Sequence, residues 1–219
     1  MIQISKYNTA DREGIRRICF ETGFLGGSLS GIVDNREFFL DLATHYFLDL
    51  DTTGLFVAKD GDDVAGYLFV EEDKKKHDTA LIRYYALRVM AEIPHFWKFS
   101  GRDARYYFGV FKAWLRRDYF FSDFREYPAV LHINIAEKHQ RSGIGSKLFA
   151  VMFDHLRAEN CPGAQLQTTS ANEKAVRFFT RHGFVELVSR DSTFYRAYGR
   201  SSVRNIVMGC KINVHSDRR

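Results

Sequence analysis

A strand that runs through a glycine turn directly into a helix limits the fold of this chain more than any other feature. The stretch "PAVLHINIAE" (residues 128–137) is rich in β-branched and apolar residues and predicts a strand. The turn "KHQRSGIG" follows, and from Leu148 to Leu156 apolar residues recur at the spacing of one helix face. We therefore predict a strand–turn–helix unit within an α/β layered fold.

The two glycines of this turn, Gly143 and Gly145, have two interpretations: they cradle an anion, or they only turn the chain tightly. A helix N-terminus presents free backbone N–H groups, glycine lets an anion approach them, and Arg141 adds positive charge. Two common phosphate motifs fit poorly. The order Gly-Ser-Lys reverses that of a Walker loop, and Leu148 stands where a Rossmann fingerprint needs its third glycine.

The remaining segments predict the other elements of such a fold. The first half predicts a strand ("IQISKY"), helices capped by Thr9 and Asp34, and a hairpin of two apolar runs, 55–58 and 64–70, around "KDGDD". The second half predicts a strand ("AQLQTTS"), a helix ("NEKAVRFFTRHGF") and three further strands. Those three strands are "FVELVSR", "TFYRAY" and "VRNIVMGCKI".

Residues 74–128 predict a helical insert with much of the aromatic and basic content of the chain. The stretches "TALIRYYALRVMAEI" and "RDARYYFGVFKAWLRRDYFF" are typical of helices, and "DKKK" before them predicts a solvated charged loop. The aromatic residues form part of the core or line a pocket, and the insert is where we expect a substrate lid. Arg116 and Arg117 either steer an anionic substrate or are solvated.

Composition sets the class of protein. The 219 residues are 45% apolar and 27% charged, so we predict one soluble domain over residues 1–219. Three separated cysteines without metal-ligand spacing, and no membrane-spanning stretch or signal core, predict a cytoplasmic protein without a metal. The net charge of +5 suits anionic ligands, but no recognition motif supports nucleic acid as a partner.

Two motifs together resemble the GNAT superfamily of N-acetyltransferases. "QRSGIG" has the form Gln/Arg-x-x-Gly-x-Gly of its acyl-CoA pyrophosphate loop, and "NEKAVRFFTRHGF" matches Asn-x-x-Ala-x-x-Phe-Tyr-x-x-x-Gly-Phe, which follows the next strand there. Order and spacing agree from Ala129 to Phe184. The resemblance implies an α/β fold with a mixed, twisted sheet of about seven strands and flanking helices. It also places the insert 74–128 before the central cofactor-binding strand.

A finer resemblance concerns one branch of this superfamily. "CFETGFLGGS", "FVAKDGDDVAGYL" and "YPAVLHINIAEKHQRSGIGSKL" are similar to the acetyltransferase-like domain at the C-terminus of O-GlcNAcase and its stand-alone bacterial relatives. That branch has doubtful catalytic standing. The resemblance therefore leaves open whether the chain catalyses transfer.

The resemblance implies a binding site for acetyl-CoA. Its pyrophosphate would lie on the N–H groups of the glycine turn, and its pantetheine arm would pair with the preceding strand, which splays from its neighbour. Asn172 would bond the end of the pantetheine, and Phe179 would pack near the thioester. The implied cofactor-binding residues are Ile133, Ile135, Ala136, Arg141, Ser142, Gly143, Ile144, Gly145, Ser146, Asn172 and Phe179.

The implied chemistry is aminolysis of a thioester, with the N–H of Ile135 as donor to the oxyanion. His132 is a candidate base and Asn134 a candidate substrate contact, although His132 is equally well explained as a structural histidine. Phe179 stands where the family has a tyrosine that protonates the leaving thiolate. Tyr195 or Tyr198 are candidate replacements.

The sequence thus predicts an acetyl-CoA-dependent N-acetyltransferase that acts on an amine of a small molecule or peptide by direct transfer in a ternary complex. The alternative is a weak or inactive acetyl-CoA-binding protein that serves as a sensor or interaction domain. The C-terminal strand "VRNIVMGCKI" would allow a homodimer.

Overall fold

A seven-stranded mixed sheet runs through the computed structural model, which describes residues 2–118 and 124–213. The spatial order is β1-β2-β3-β4-β5-β7-β6, and only the β4–β5 pair is parallel. The α/β fold class is as predicted. The strands are β1 Ile2–Lys6, β2 Leu55–Asp60, β3 Asp63–Glu71, β4 Ala129–Ile135, β5 Gly163–Thr169, β6 Val185–Asp191 and β7 Arg204–Lys211.

Helices cover both faces of this sheet and bury two apolar clusters. One cluster lies under the helices that follow β4 and β5, with Phe149 and Leu148 at its centre. The other lies under the two N-terminal helices, around Tyr67 and Phe69 of β3. The helices are α1 Arg12–Thr22, α2 Arg36–His45, α3 Lys74–Glu92, α4 Gly101–Leu115, α5 Ile144–Ala158 and α6 Glu173–Arg181.

The first two helices begin close to their predicted starts, but the predicted caps are wrong. Asn8, not Thr9, caps the 3-10 turn Thr9–Asp11 that leads into α1, because its side chain accepts from the Ala10 N–H. Asn35, not Asp34, caps α2 by accepting from the Phe38 N–H at 3.1 Å. In both cases two capping residue types are adjacent, and the sequence alone does not choose between them.

The predicted loop "DKKK" is also wrong, because it begins α3. Asp73 caps the helix by accepting from the N–H groups of Lys75 and Lys76. Lys74 is buried and pairs with Asp78 one turn later. A charge run at an N-cap therefore starts a helix here instead of forming a solvated loop.

The predicted helical insert contains α3 and α4, between β3 and β4. Tyr106 and Tyr107 of α4 pack edge-on against Phe39 and Phe38 of α2. Other aromatic side chains of α4 face solvent, with Phe108 68% exposed. The end of the predicted second helix, residues 119–121, lies outside the described residues.

The predicted strand "TFYRAY" is a 3-10 segment, Phe194–Tyr198. Phe194 is buried against Tyr106 of α4, and Tyr195 and Tyr198 both turn towards Phe24. Aromatic residues at positions i, i+1 and i+4 suit one side of a helical turn rather than the alternation of a strand.

β7 lies between β5 and β6 and pairs with both. Its backbone therefore has no free edge at which a second copy of the chain could pair, and the homodimer stays a prediction. In the described ranges, no helix combines the length and apolar character needed to cross a membrane.

The carboxylate of Asp103 fastens the insert to the N-terminal half. It accepts from the N–H groups of Asp34 and Asn35, both at 2.9 Å, and from the N–H and hydroxyl of Ser100 at 3.0 Å. The residue is 1% exposed. Buried N–H groups that lose their acceptor carry a large desolvation cost.

We expect Asp103→Ala to lower the free energy of unfolding by about 2–4 kcal/mol, because it leaves these N–H groups unpaired. Urea denaturation measures the change. The control is Asp154→Ala, which removes an exposed carboxylate paired with Arg157 and should cost about 0.5 kcal/mol or less. Equal losses in the two variants would contradict the anchoring role of Asp103.

Candidate functional site

The neighbouring strands β4 and β5 separate soon after they meet. They pair only at Ala129 with Ala164 and at Val130 with Gln165, and β5 then continues along β7. The other edge of β4 stays paired with β3 as far as Ile135. The opening between β4 and β5 is therefore flanked by an unpaired strand edge.

The backbone groups that face this opening follow from the alternation of an antiparallel ladder. The Ala136 N–H donates to the Ala65 carbonyl at 2.9 Å, so even-numbered residues of β4 bond to β3. The N–H and C=O groups of Ile133 and Ile135 consequently point to the opening. The side-chain amide of Gln140 lies 3.4 Å from the Ile135 carbonyl, a contact that sequence reasoning missed.

The glycine turn stands at the same end of β4. Gly143 has φ +81°, and a Cβ built there would meet nothing within 4 Å. The backbone of Arg141 also has the left-handed conformation, with φ +64°. α5 begins at Ile144 without a side-chain cap, so its first N–H groups are available to an anion.

Gly145 serves a different purpose. A Cβ at this position would lie 2.8 Å from the Cζ atom of Phe178 in α6. The missing side chain lets the first turn of α5 pack against the Phe178 ring. Of the two glycines, Gly143 shapes the open turn and Gly145 allows close helix packing.

A histidine that the sequence analysis did not single out joins the turn to α6. The Nδ1 atom of His182 lies 2.9 Å from the Phe178 carbonyl, so this nitrogen carries the proton and donates. Its Nε2 atom then accepts from the Ser146 hydroxyl at 3.1 Å. Ser142, also in the turn, donates to the His139 carbonyl at 2.5 Å.

Asn172 caps α6, and its side chain accepts from the Ala175 N–H at 3.3 Å. The loop 23–31 reaches this cap, because a Cβ on Gly26 would lie 2.9 Å from the Asn172 Nδ2 atom. Phe24 of the same loop contacts Tyr195 and Tyr198, with ring centroids 5.7 and 5.1 Å away. The loop therefore connects α6 to the Phe194–Tyr198 segment.

His132 and Asn134 share the face of β4 that is opposite Ile133 and Ile135. Asn134 donates to the Tyr67 hydroxyl at 2.8 Å, so it is held by a buried partner. The His132 side chain is exposed to solvent on this face. Desolvation by the protein packed around it, and His77 with its ring 6.3 Å away, lower the pKa of His132 to about 4.

The other predicted cofactor residues line the opening or the core beside it. Ile133 and Ile135 pack on the cluster under α5, and Ala136 is buried. Phe179 is 6% exposed and stacks on Phe149 at 6.1 Å, so its ring is part of the core. In this position it supplies packing and no proton.

The two candidate tyrosines differ in their surroundings. Burial raises the pKa of Tyr195 to about 12 and also raises that of Tyr198. The Tyr198 hydroxyl is buried without a hydrogen-bond partner within the described residues. Residues 2–118 and 124–213 contain no group of three His, Cys, Asp or Glu side chains placed to hold a metal ion.

Comparison with known proteins gives the same architecture. Residues 95–184 match the family model described as the Acetyltransferase (GNAT) family. SsHAT shares 19% identity and a TM-score of 0.71, with 96% of this chain and 98% of that chain covered. The chain has the GNAT fold. The resemblance to the O-GlcNAcase branch within the GNAT superfamily stays a prediction.

Two further solved structures with the GNAT fold cover nearly the whole chain. One is yncA from Salmonella typhimurium with its cofactor acetyl-CoA, at 15% identity, a TM-score of 0.59, and coverage of 100% of this chain and 98% of that chain. The other is Ard1 from Thermoplasma volcanium, at 16% identity, a TM-score of 0.56, and coverage of 96% of this chain and 97% of that chain. At these identities the likeness concerns the fold.

The packing of Gly145 against Phe178 in this GNAT fold gives a direct test. We expect Gly145→Ala to lower the free energy of unfolding by about 1–3 kcal/mol, because its Cβ forces the Phe178 ring to move. Thermal and urea unfolding measure the change, and Phe178→Leu in the same background should recover part of it. Gly101→Ala, where a Cβ meets nothing within 4 Å, is the matched control. Full stability of Gly145→Ala would contradict the close contact.

Proposed function

We propose that this chain transfers the acetyl group of acetyl-CoA to an amine of a small molecule or peptide. The observation that carries the proposal is the unpaired edge of β4 beside the uncapped N-terminus of α5. A ligand that bonds like a strand at one end and carries a pyrophosphate at the other fits both features. Acetyl-CoA has this construction, with amides in its pantetheine arm.

The residues of the opening fit each part of this cosubstrate. The N–H groups of the turn, from Arg141 to Ser146, would hold the pyrophosphate, with the Arg141 guanidinium adding charge. The backbone of Ile133 and the carbonyl of Ile135 would pair with the pantetheine amides. Asn172 and Phe179 would border its far end, where the thioester lies.

The reaction forms a C–N bond and breaks the C–S bond of the thioester. The amine attacks the carbonyl carbon, and the carbonyl oxygen becomes an oxyanion that the Ile135 N–H would stabilise. The attacking nitrogen becomes strongly acidic once it is bonded to that carbon. A neutral His132 can accept its proton at this stage, even with a lowered pKa.

The departing CoA thiolate needs a proton when it leaves as the thiol. Phe179 cannot supply it, so we assign this role to Tyr198 or Tyr195, whose hydroxyls are protonated at neutral pH. The unpartnered hydroxyl of Tyr198 favours the first of the two. The acceptor amine would enter from the side of the loop 23–31.

Calorimetric titration with acetyl-CoA and CoA tests the cosubstrate site. We expect micromolar binding, about −8 kcal/mol. Gly143→Ala should weaken it at least about tenfold, because a left-handed residue with a Cβ distorts the turn that holds the pyrophosphate.

Gly61→Ala is the matched control for that titration. Gly61 also has the left-handed backbone conformation, with φ +61° and open space where a Cβ would stand, but it lies in the β2–β3 turn. Both variants should lose about 1–2 kcal/mol of stability, and only Gly143→Ala should lose affinity. If the wild-type protein binds neither ligand, the proposed function fails.

Acetyl transfer to a panel of amines tests the role of His132. We expect His132→Gln to lower kcat about 10²–10⁴-fold and to leave acetyl-CoA affinity unchanged. In the wild-type protein kcat/KM, expressed per unprotonated acceptor amine, should fall as the pH drops towards 4 and not near pH 6.5, because His132 is neutral above its lowered pKa. An acidic limb near pH 6.5, or unchanged kcat in His132→Gln, would exclude this base. Tight binding without any transfer would leave a sensor as the function.

A further inference from the structure

A second cavity lies between the insert and the segment that precedes β7. It has a volume of about 340 Å³ and is bounded by α4 on one side and by Phe194–Tyr198 on the other. Gly109 brings the two walls together, because a Cβ there would lie 3.1 Å from the Phe194 ring. None of its lining residues belongs to the glycine turn or to β4.

Four cationic side chains line this cavity, and no carboxylate does so within the described residues. Three belong to α4 and the residue just after it, and the fourth belongs to the facing segment. None of the four has an acidic partner within 4 Å in the described part of the chain. They are Arg105, Lys112, Arg116 and Arg196.

The nearby carboxylates of Asp118 and Asp103 accept hydrogen bonds from other residues. Asp118 accepts from the N–H and hydroxyl of Thr193 at 2.7 and 2.6 Å. Asp103 accepts from the N–H groups of Asp34 and Asn35. Four like charges around one cavity repel each other, and none of the four has a carboxylate within 4 Å in the described ranges.

We propose that this cavity binds a multiply charged anion of the phosphate class. Guanidinium groups match phosphoryl oxygens with paired N–H donors, and three of the four cations are arginines. The rings of Phe108 and Phe194 add apolar surface to the lining of the cavity. Anion binding at this cavity does not depend on the proposed function, because none of its lining residues belongs to the proposed acetyl-CoA site.

Two sources could supply such a group: a phosphorylated acceptor, or a free phosphate compound. The Phe194–Tyr198 segment connects the cavity with the candidate active site. Tyr195 and Tyr198 contact Phe24, and Gly26 in the same loop lies against the Asn172 side chain. The phosphoryl group is common to both sources, and the experiment separates them.

The first arm is calorimetric titration with inorganic pyrophosphate at constant ionic strength. The variants are Arg105→Gln/Arg116→Gln in the cavity, Arg141→Gln in the glycine turn, and Arg83→Gln as the control. Arg83 is exposed on α3, outside the cavity. We expect the cavity variant to lose at least about tenfold in affinity and Arg83→Gln to bind within about twofold of the wild-type protein.

The proposal is overturned if the wild-type protein does not bind pyrophosphate. It is also overturned if the cavity variant binds as the wild-type protein does, or if only Arg141→Gln loses binding, since the glycine turn would then be the site. Circular dichroism of each variant verifies that it is folded. The result does not depend on whether acetyl-CoA binds.

The second arm compares acetyl transfer to ethanolamine and to O-phosphoethanolamine. A lower KM for the phosphorylated amine that disappears in Arg105→Gln/Arg116→Gln assigns the anion to the acceptor. Equal KM values, together with pyrophosphate binding in the first arm, assign the cavity to a free phosphate compound. Both results support the anion site.

Discussion

The early separation of β4 from β5 is the constraint on which the rest of the site depends. Two residue pairs fix the parallel contact, and beyond them β5 continues along β7 while β4 stays with β3. Backbone N–H and C=O groups at an unpaired edge need partners, and a strand-like ligand supplies them. The uncapped start of α5 lies at the same end, so one divergence of strands would produce both halves of the proposed cosubstrate site.

The second organising interaction is the attachment of the insert to the N-terminal half. Asp103 holds the N–H groups before α2, while Tyr106 and Tyr107 pack on the α2 phenylalanines. This attachment brings α4 against the Phe194–Tyr198 segment. The Phe194–Tyr198 segment therefore borders both the cationic cavity and the proposed acceptor side of the site.

Much of the fold could be predicted from the sequence, because apolar periodicity and the glycine turn identify the strand–turn–helix unit directly. The choice of the capping residue between two adjacent candidates could not be predicted, as Asn8 and Asn35 show. The contact of His182 with Ser146 depends on two parts of the chain, 36 residues apart, that meet only in the folded protein. The same is true of the cavity, whose cations come from two distant segments.

The position of β7 has a consequence for how the chain folds. Residues 204–211 are the last strand in sequence, yet they join β5 to β6 inside the sheet. On the ribosome β5 and β6 are therefore made before the strand that unites them, and both expose unpaired edges until it arrives. This half of the sheet has a high contact order, so we expect it to form late and to be the part most exposed to aggregation during synthesis.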